Sequence, residues 1–240
     1  MSNRFLGLYL AILIISNIFF FSIFLEDGPL TYSDMILGKI INQSCHLLIL
    51  FYIIFKKYIS FKDTVIICVF CIQLLDIANE FINYLSPFSD TVAVDMVFVM
   101  SQRVLWSVIF VTLGSNFISN SRLKNILNLA FGSFIFCLFL STFESLDKLQ
   151  PNVVISLLIL YIMIIYGSNF KDKILHQVGI GVLLVVLADM AFLFSGLHDD
   201  LHWKYLYLLP RLFLNLGELL ILYKVLEKYR LPTLPLTPIS

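Results

Sequence analysis

Charge is what this 240-residue chain has least of: Asp, Glu, Lys and Arg together make up 13%, and 16 acidic residues balance 16 basic ones at a formal net charge of zero. With no basic excess and no basic cluster beyond loop pairs that membrane topology and anionic lipid explain, nucleic-acid binding has no support. Motifs of familiar soluble chemistry are missing as well: there is no Walker loop, no G-x-S-x-G elbow and no H-E-x-x-H helix. Four cysteines include a C-x-x-C at Cys68 and Cys71, but no second pair stands at zinc-site spacing, and Cys45 beside His46 adds little. The loop GLHDDLH carries His198, Asp199, Asp200 and His202, and reads as a solvated connection. No metal site and no cofactor is expected.

What is present is hydrocarbon. Hydrophobic residues make up 60% and the mean hydropathy is +0.93, against an apolar share of about 45–50% in soluble domains. Apolar runs recur at 5–25, 35–55, 64–85, 92–113, 124–143, 152–168, 175–196 and 205–226, each near the ~20 residues that carry a helix across a bilayer. The expected fold is all-α, a polytopic bundle of eight transmembrane helices forming one domain over 1–230, followed by a Pro-rich tail over 231–240. The first run follows Arg4 but is too long for a signal peptide and lacks a small-residue cleavage site before Glu26.

Basic residues fix the expected orientation. Arg4, Lys56, Lys57, Lys62, Arg122, Lys124, Lys171, Lys173, Lys224, Lys228 and Arg230 fall at the ends and in alternate loops, whereas the opposite loops hold only Lys148 and Lys204 among eight acids. Both termini are therefore expected in the cytoplasm. This places Lys39, Arg103, Arg211, Asp76, Glu80, Asp95, Asp189 and Glu218 within spans. A charge at the bilayer centre costs about 2.5–3.5 kcal/mol on insertion scales, so these side chains must face protein, water or ligand.

Helical spacing sorts them into stripes. Gln73, Asp76, Glu80 and Asn83 share one face of the third span; Tyr207, Arg211, Asn215 and Glu218 share one face of the eighth; and Lys39, Asn42, Gln43 and His46 repeat the pattern in the second. The fourth span adds Asp95, Gln102, Arg103 and Ser107, and the seventh adds Asp189 alone. The fifth and sixth are nearly free of polar groups and are expected to face lipid or a partner. The stripes predict a polar cavity opening outward among spans two, three, four, seven and eight, with Lys39, Arg103 or Arg211 as counter-charges to Asp76 and Glu80. An ion-pair network holding the helices together accounts for the same residues without any ligand.

The seventh span, GVLLVVLADMAFLFSG, resembles the Gly-Ala-x-x-Phe-x-x-Ser-Asp pattern of the YhhN-type lysoplasmalogenases, with the same Gly-to-Asp separation from Gly181 to Asp189. Asp76 is similar in position to that family's third-span acid, Lys39 to its second-span lysine, Ser101-Gln102 to its Ser-His, and Glu218 in LGELLI to its last-span polar residue. The chain departs from the pattern where Ile40 follows Lys39 and where Gln102 stands in place of histidine. The resemblance implies hydrolysis of the vinyl-ether bond of a lysophospholipid in a membrane, more in keeping with a bacterial inner membrane than an endomembrane. It implies Asp76 and Asp189 as an acid/base pair, Glu80 as a charge stabiliser, and Lys39 with Arg211 near the phosphate. Arg103, Gln102, Asn215, Glu218 and His46 complete the expected substrate contacts. The competing class is a non-enzymatic membrane protein, sensor or transporter-like, that binds a ligand or a proton in the same cavity.

Overall fold

A computed structural model describes residues 63–85, 91–140, 151–197 and 204–228, together with scattered helical positions at 11, 14, 15, 18, 44, 47, 48 and 51. Six α-helices occupy the described residues: α1 Thr64–Leu85, α2 Thr91–Thr112, α3 Arg122–Leu140, α4 Pro151–Ser168, α5 Val178–Leu197 and α6 Lys204–Lys228. A short 3-10 turn, Lys173–Gln177, leads into α5. No strand occurs among the described residues, and the all-α expectation stands. These six helices coincide with the third to eighth apolar runs, while the first two runs lie almost wholly outside the described residues.

Length and composition make two helices candidates to cross a membrane, over Thr64–Ile82 and Lys173–Phe192. The apolar parts of α2 and α4, Met96–Thr112 and Val153–Ser168, are shorter. The expected set of eight uniform spans is therefore seen here as two full-length candidates and two shorter apolar helices. Polar residues interrupt the others: α2 carries Ser101-Gln102-Arg103 in its middle, and α6 carries Arg211, Asn215, Glu218 and Lys224.

The helices pack as an interlocked set. α5 lies along α6, α1 along α2, and α4 bridges α2 and α5, while α3 packs lightly on α4. The core is formed by Val69, Ile72, Trp106, Phe110, Val185 and Ile221, with their neighbours on the same faces. α4 has two faces: Leu157, Leu160 and Met163 are buried against the other helices, while Ile155, Leu158 and Ile162 are exposed, so the sixth apolar run packs inward on one side and presents hydrocarbon on the other. An all-apolar helix gives no sequence signal that separates lipid contact from protein contact. α3 meets the expectation of a peripheral helix, with Leu123, Ile126, Leu127 and Phe134 all exposed.

Two local features set the geometry. α2 ends in a Schellman motif, in which Ser115 N–H donates to Phe110 O (2.9 Å) and Gly114 N–H to Val111 O (3.0 Å). Gly114 supplies the left-handed φ of 90° that this closure needs. Where α5 crosses α6, a Cβ at Gly217 would lie 2.6 Å from Gly181 O, and one at Gly181 would lie 2.8 Å from Gly217 O. The two backbones touch there, and a side chain at either position would force them apart.

Polar and apolar groups are distributed opposite to a water-soluble bundle. Gln73, Gln102, Arg103, Asp189, Arg211 and Glu218 are buried, while Ile67, Leu85, Val97, Val104, Leu187 and Leu216 are exposed.

Candidate functional site

Four helices supply the polar core. α1 presents Gln73, Asp76, Asn79 and Glu80, within two turns of one another; of these, Gln73, Asn79 and Glu80 are buried, and Asp76 is half-buried. α2 contributes Gln102 and Arg103, and because consecutive helical residues point about 100° apart the two reach different neighbours. Gln102 turns toward α1 and its Nε2 donates to Asp76 Oδ1 at 2.8 Å. Arg103 turns the other way, toward α5 and α6.

The Arg103 guanidinium is the centre of a buried ion cluster. Its Nε donates to Asp189 Oδ2 at 2.6 Å and its Nη2 to Asp189 Oδ1 at 3.0 Å, while Nη1 donates to Glu218 Oε1 at 3.2 Å. Arg103 is 1% exposed and Asp189 4%. The planar fork of the guanidinium suits this pattern, since two parallel donors match one carboxylate and leave a third for another. Ser107 Oγ donates to the Arg103 carbonyl at 2.9 Å, one turn further along α2.

The remaining predicted residues surround this centre. Asp76 lies within electrostatic reach of Glu218, Arg211 and Arg103, and Glu218 within reach of Arg211 and Asp189. Glu80, Arg211 and Asn215 take part in further polar or electrostatic interactions. Asp76, Gln102, Arg103, Asp189 and Glu218 are thus brought into one network by α1, α2, α5 and α6. Lys39 and His46 fall outside the described residues.

Among the described residues Arg103, Asp189 and Glu218 close on one another, as buried charges do when a countercharge is at hand. Asp189 accepts from Arg103 with both oxygens. The second span, which the expected polar cavity also needs, lies almost wholly outside the described residues.

Asp76 is held differently: its Oδ1 is fixed by neutral Gln102, whereas Oδ2 is buried and has no hydrogen-bond partner among the described residues. Two residues absent from the sequence-based set share that property: Asn79 Oδ1 and Trp106 Nε1 are buried without a partner. Asn79 stands three residues after Asp76, and Trp106 four after Gln102, so helical spacing from the predicted pair was the signal that would have found them.

On another flank of α2, an apolar groove of about 320 Å³ runs between α2 and α4, lined by Val104, Ser107, Val108, Ile159, Ile162 and Tyr166 among others. Its α2 wall begins at Val104, the residue after Arg103, and extends to Thr112.

No family matches this chain, and neither a curated protein nor a solved structure matches it, so the likeness to the YhhN-type lysoplasmalogenases rests on the motifs around Lys39, Asp76, Ser101-Gln102, Gly181 to Asp189 and Glu218.

Proposed function

We propose that this is a multi-pass membrane protein of eight spans, with both termini in the cytoplasm of a bacterial inner membrane, that hydrolyses the vinyl-ether bond of a lysoplasmalogen-type lysophospholipid at Asp76. Support for the membrane reading comes from the two long apolar helices and from the placement of charge inside and hydrocarbon outside. Support for the site comes from a single observation: the Asp76 carboxyl has one oxygen held by an amide and the other buried with no partner among the described residues. A fixed carboxyl group with one uncommitted oxygen is what proton transfer to and from a ligand requires.

The chemistry closes on one residue. Protonated Asp76 gives its proton to the vinyl-ether carbon remote from oxygen, and an oxocarbenium centre develops at the carbon bearing the oxygen. The resulting carboxylate takes a proton from water as the water oxygen bonds to that centre. As the hemiacetal's bond to the glycerol oxygen breaks, its hydroxyl proton passes to that oxygen, giving a fatty aldehyde and a glycerophospho-base alcohol with Asp76 again protonated. Glu80 adds negative potential where the cation develops. Arg211 and Lys39 serve the phosphate, and the apolar groove beside α2, about 12 Å along the helix axis from Val104 to Thr112, suits part of a hydrocarbon chain. Asp189, with Glu218, holds Arg103 in place.

Reconstitution in lipid vesicles with a lysoplasmalogen, followed by assay of free aldehyde, tests this. The expected result is release by the wild type and a loss of about 100-fold or more in folded Asp76→Asn. A folded wild type that releases no aldehyde sinks the hydrolase assignment.

A second reading, a non-enzymatic membrane protein that binds a ligand or a proton, is favoured by the mutual satisfaction of Arg103, Asp189 and Glu218, which asks nothing of a substrate. Under that reading Asp76→Asn changes ligand or proton binding and no aldehyde is formed by any variant.

A further inference from the structure

Buried polar atoms without partners are rare enough in folded proteins that each calls for a physical reason. Among the described residues, two such atoms are acceptors one helical turn apart on α1, Asp76 Oδ2 and Asn79 Oδ1. Arg103 is committed to Asp189 and Glu218, the Gln102 amide is committed to the other Asp76 oxygen, and Arg211, within electrostatic reach of Asp76, supplies neither acceptor with a hydrogen bond. Asn79 is neutral and 8% exposed, so it neither balances charge nor reaches solvent freely. Such a pair of acceptors needs a small ligand with two donors.

Water is that ligand. Residues three apart on a helix place their Cβ atoms about 5–6 Å from each other, and two hydrogen bonds of about 2.8 Å meeting at one water oxygen span about 4.5 Å. A water held this way directs both hydrogens at the protein and leaves its lone pairs facing outward, the orientation of a nucleophile. One hydrogen already points at the oxygen that is to receive it.

We propose that Asp76 Oδ2 and Asn79 Oδ1 together seat the hydrolytic water, and that Asn79 is a catalytic residue that aims it. This rests on the hydrolase reading. After Asp76 has given its proton to the vinyl ether, the water bonds through oxygen to the oxocarbenium carbon, one proton passes to Asp76 Oδ2, and the second hydrogen stays on that oxygen as the hemiacetal hydroxyl, donating to Asn79 Oδ1.

The test uses the full chain in vesicles, with wild type, Asn79→Leu and Asn79→Ser, and with methanol added as a competing nucleophile. Methanol captures the oxocarbenium centre as a methyl acetal, so the ratio of acetal to aldehyde reports how well water is held. Asn79→Leu is expected to lower kcat about 100-fold with KM within about twofold and to raise the acetal share several-fold. Asn79→Ser, which keeps an oxygen acceptor, is expected to recover most of kcat and the wild-type ratio. An unchanged ratio in active Asn79→Leu overturns the proposal, since a structural role alone lowers the active fraction without altering the partition. Should Asn79→Leu fail to fold, the ratio in Asn79→Ser with and without added methanol decides: retention of the wild-type partition supports the water seat, and a partition as indiscriminate as free solution overturns it. If the wild type releases no aldehyde, the hydrolase reading fails, and the seat is judged separately by density in a high-resolution structure of the substrate-free protein. Water bridging the two oxygens supports it; oxygens packed only against hydrocarbon overturn it.

Discussion

Replacing Arg103 with Met is the most informative single perturbation of the fold. Methionine fills much of the volume of the arginine stem, so little cavity is created and the change is chiefly electrostatic. It removes three donors, at 2.6, 3.0 and 3.2 Å, from two carboxylates that are 4% and 7% exposed. Charge-assisted hydrogen bonds contribute about 1.5–3 kcal/mol each, but they are not additive on one guanidinium, and breaking a buried pair by removing one partner typically costs about 3–5 kcal/mol. The expected loss for Arg103→Met is therefore about 3–5 kcal/mol, read as a shift in the reversible unfolding midpoint in mixed micelles. A compensated variant, Arg103→Met with Asp189→Leu and Glu218→Gln, is expected to regain most of that loss, because apolar or neutral groups of similar size often replace buried ions without penalty. A loss below about 1 kcal/mol for Arg103→Met alone, the value of a solvent-exposed pair, refutes the description of this cluster as a desolvated core.

Other expectations are more local. Gln102→Leu leaves both Asp76 oxygens without a side-chain donor and is expected to destabilise by about 1–3 kcal/mol, with a larger proportional loss of aldehyde release than of folded protein; equal losses would show that Gln102 only packs. Gly217→Leu places side-chain atoms where Gly181 O stands 2.6 Å from the ideal Cβ position, so α5 and α6 must separate, at about 1–3 kcal/mol or more. Thermal unfolding of Gly217→Leu beside the exposed control Leu216→Ala checks this, and equal midpoints would remove the close crossing from the account. At the end of α6, the Lys228 ammonium and the Ile174 N–H hold the Asp172 carboxyl below the usual carboxylate range. That contribution is present above the unfolded carboxylate pKa and is lost as pH falls through the lower folded value. Hydrogen exchange at the Ile174 amide should accordingly accelerate in acid in the wild type, and be fast and pH-independent over that window in Asp172→Asn after correction for intrinsic rates.

The helices and the membership of the site were legible because hydrocarbon runs and helical periodicity are one-dimensional signals. Asp76 and Glu80 stand four residues apart, as do Arg211 and Asn215, and any helix through those residues gathers them on a face. Partner choice was not legible. Gln102 and Arg103 are adjacent in sequence, and only the placement of α1 on one side of α2 and of α5 with α6 on the other sends the amide to Asp76 and the guanidinium to Asp189. The role of α4 was hidden for a different reason: Leu157 and Met163 look the same in sequence whether they meet lipid or other helices. Spacing places Asn79 on the Asp76 face, but that its oxygen is left without a partner among the described residues is a fact of packing, which no spacing rule reports. The Gly181 and Gly217 crossing was hidden because glycine records permission for contact, and contact itself needs two helices.

Under the proposed function, the division of labour between Arg103 and Gln102 gives a reason why Asp76 rather than Asp189 would react. Three acids, Asp76, Asp189 and Glu218, share this network with two arginines, Arg103 and Arg211. Had Arg103 forked onto Asp76, that carboxylate would be fixed as an anion, and proton transfer would have to break a charge-assisted pair in a low-dielectric interior. Forking onto Asp189 instead leaves Asp76 with a neutral amide, which accommodates either protonation state at Oδ2 because it engages only Oδ1. The close approach of α5 to α6 at the glycine pair helps Asp189 and Glu218 converge on one guanidinium. On this view the ion cluster and the reactive carboxyl are not rival explanations of the same residues: by occupying Arg103, Asp189 and Glu218 leave Asp76 free to exchange its proton.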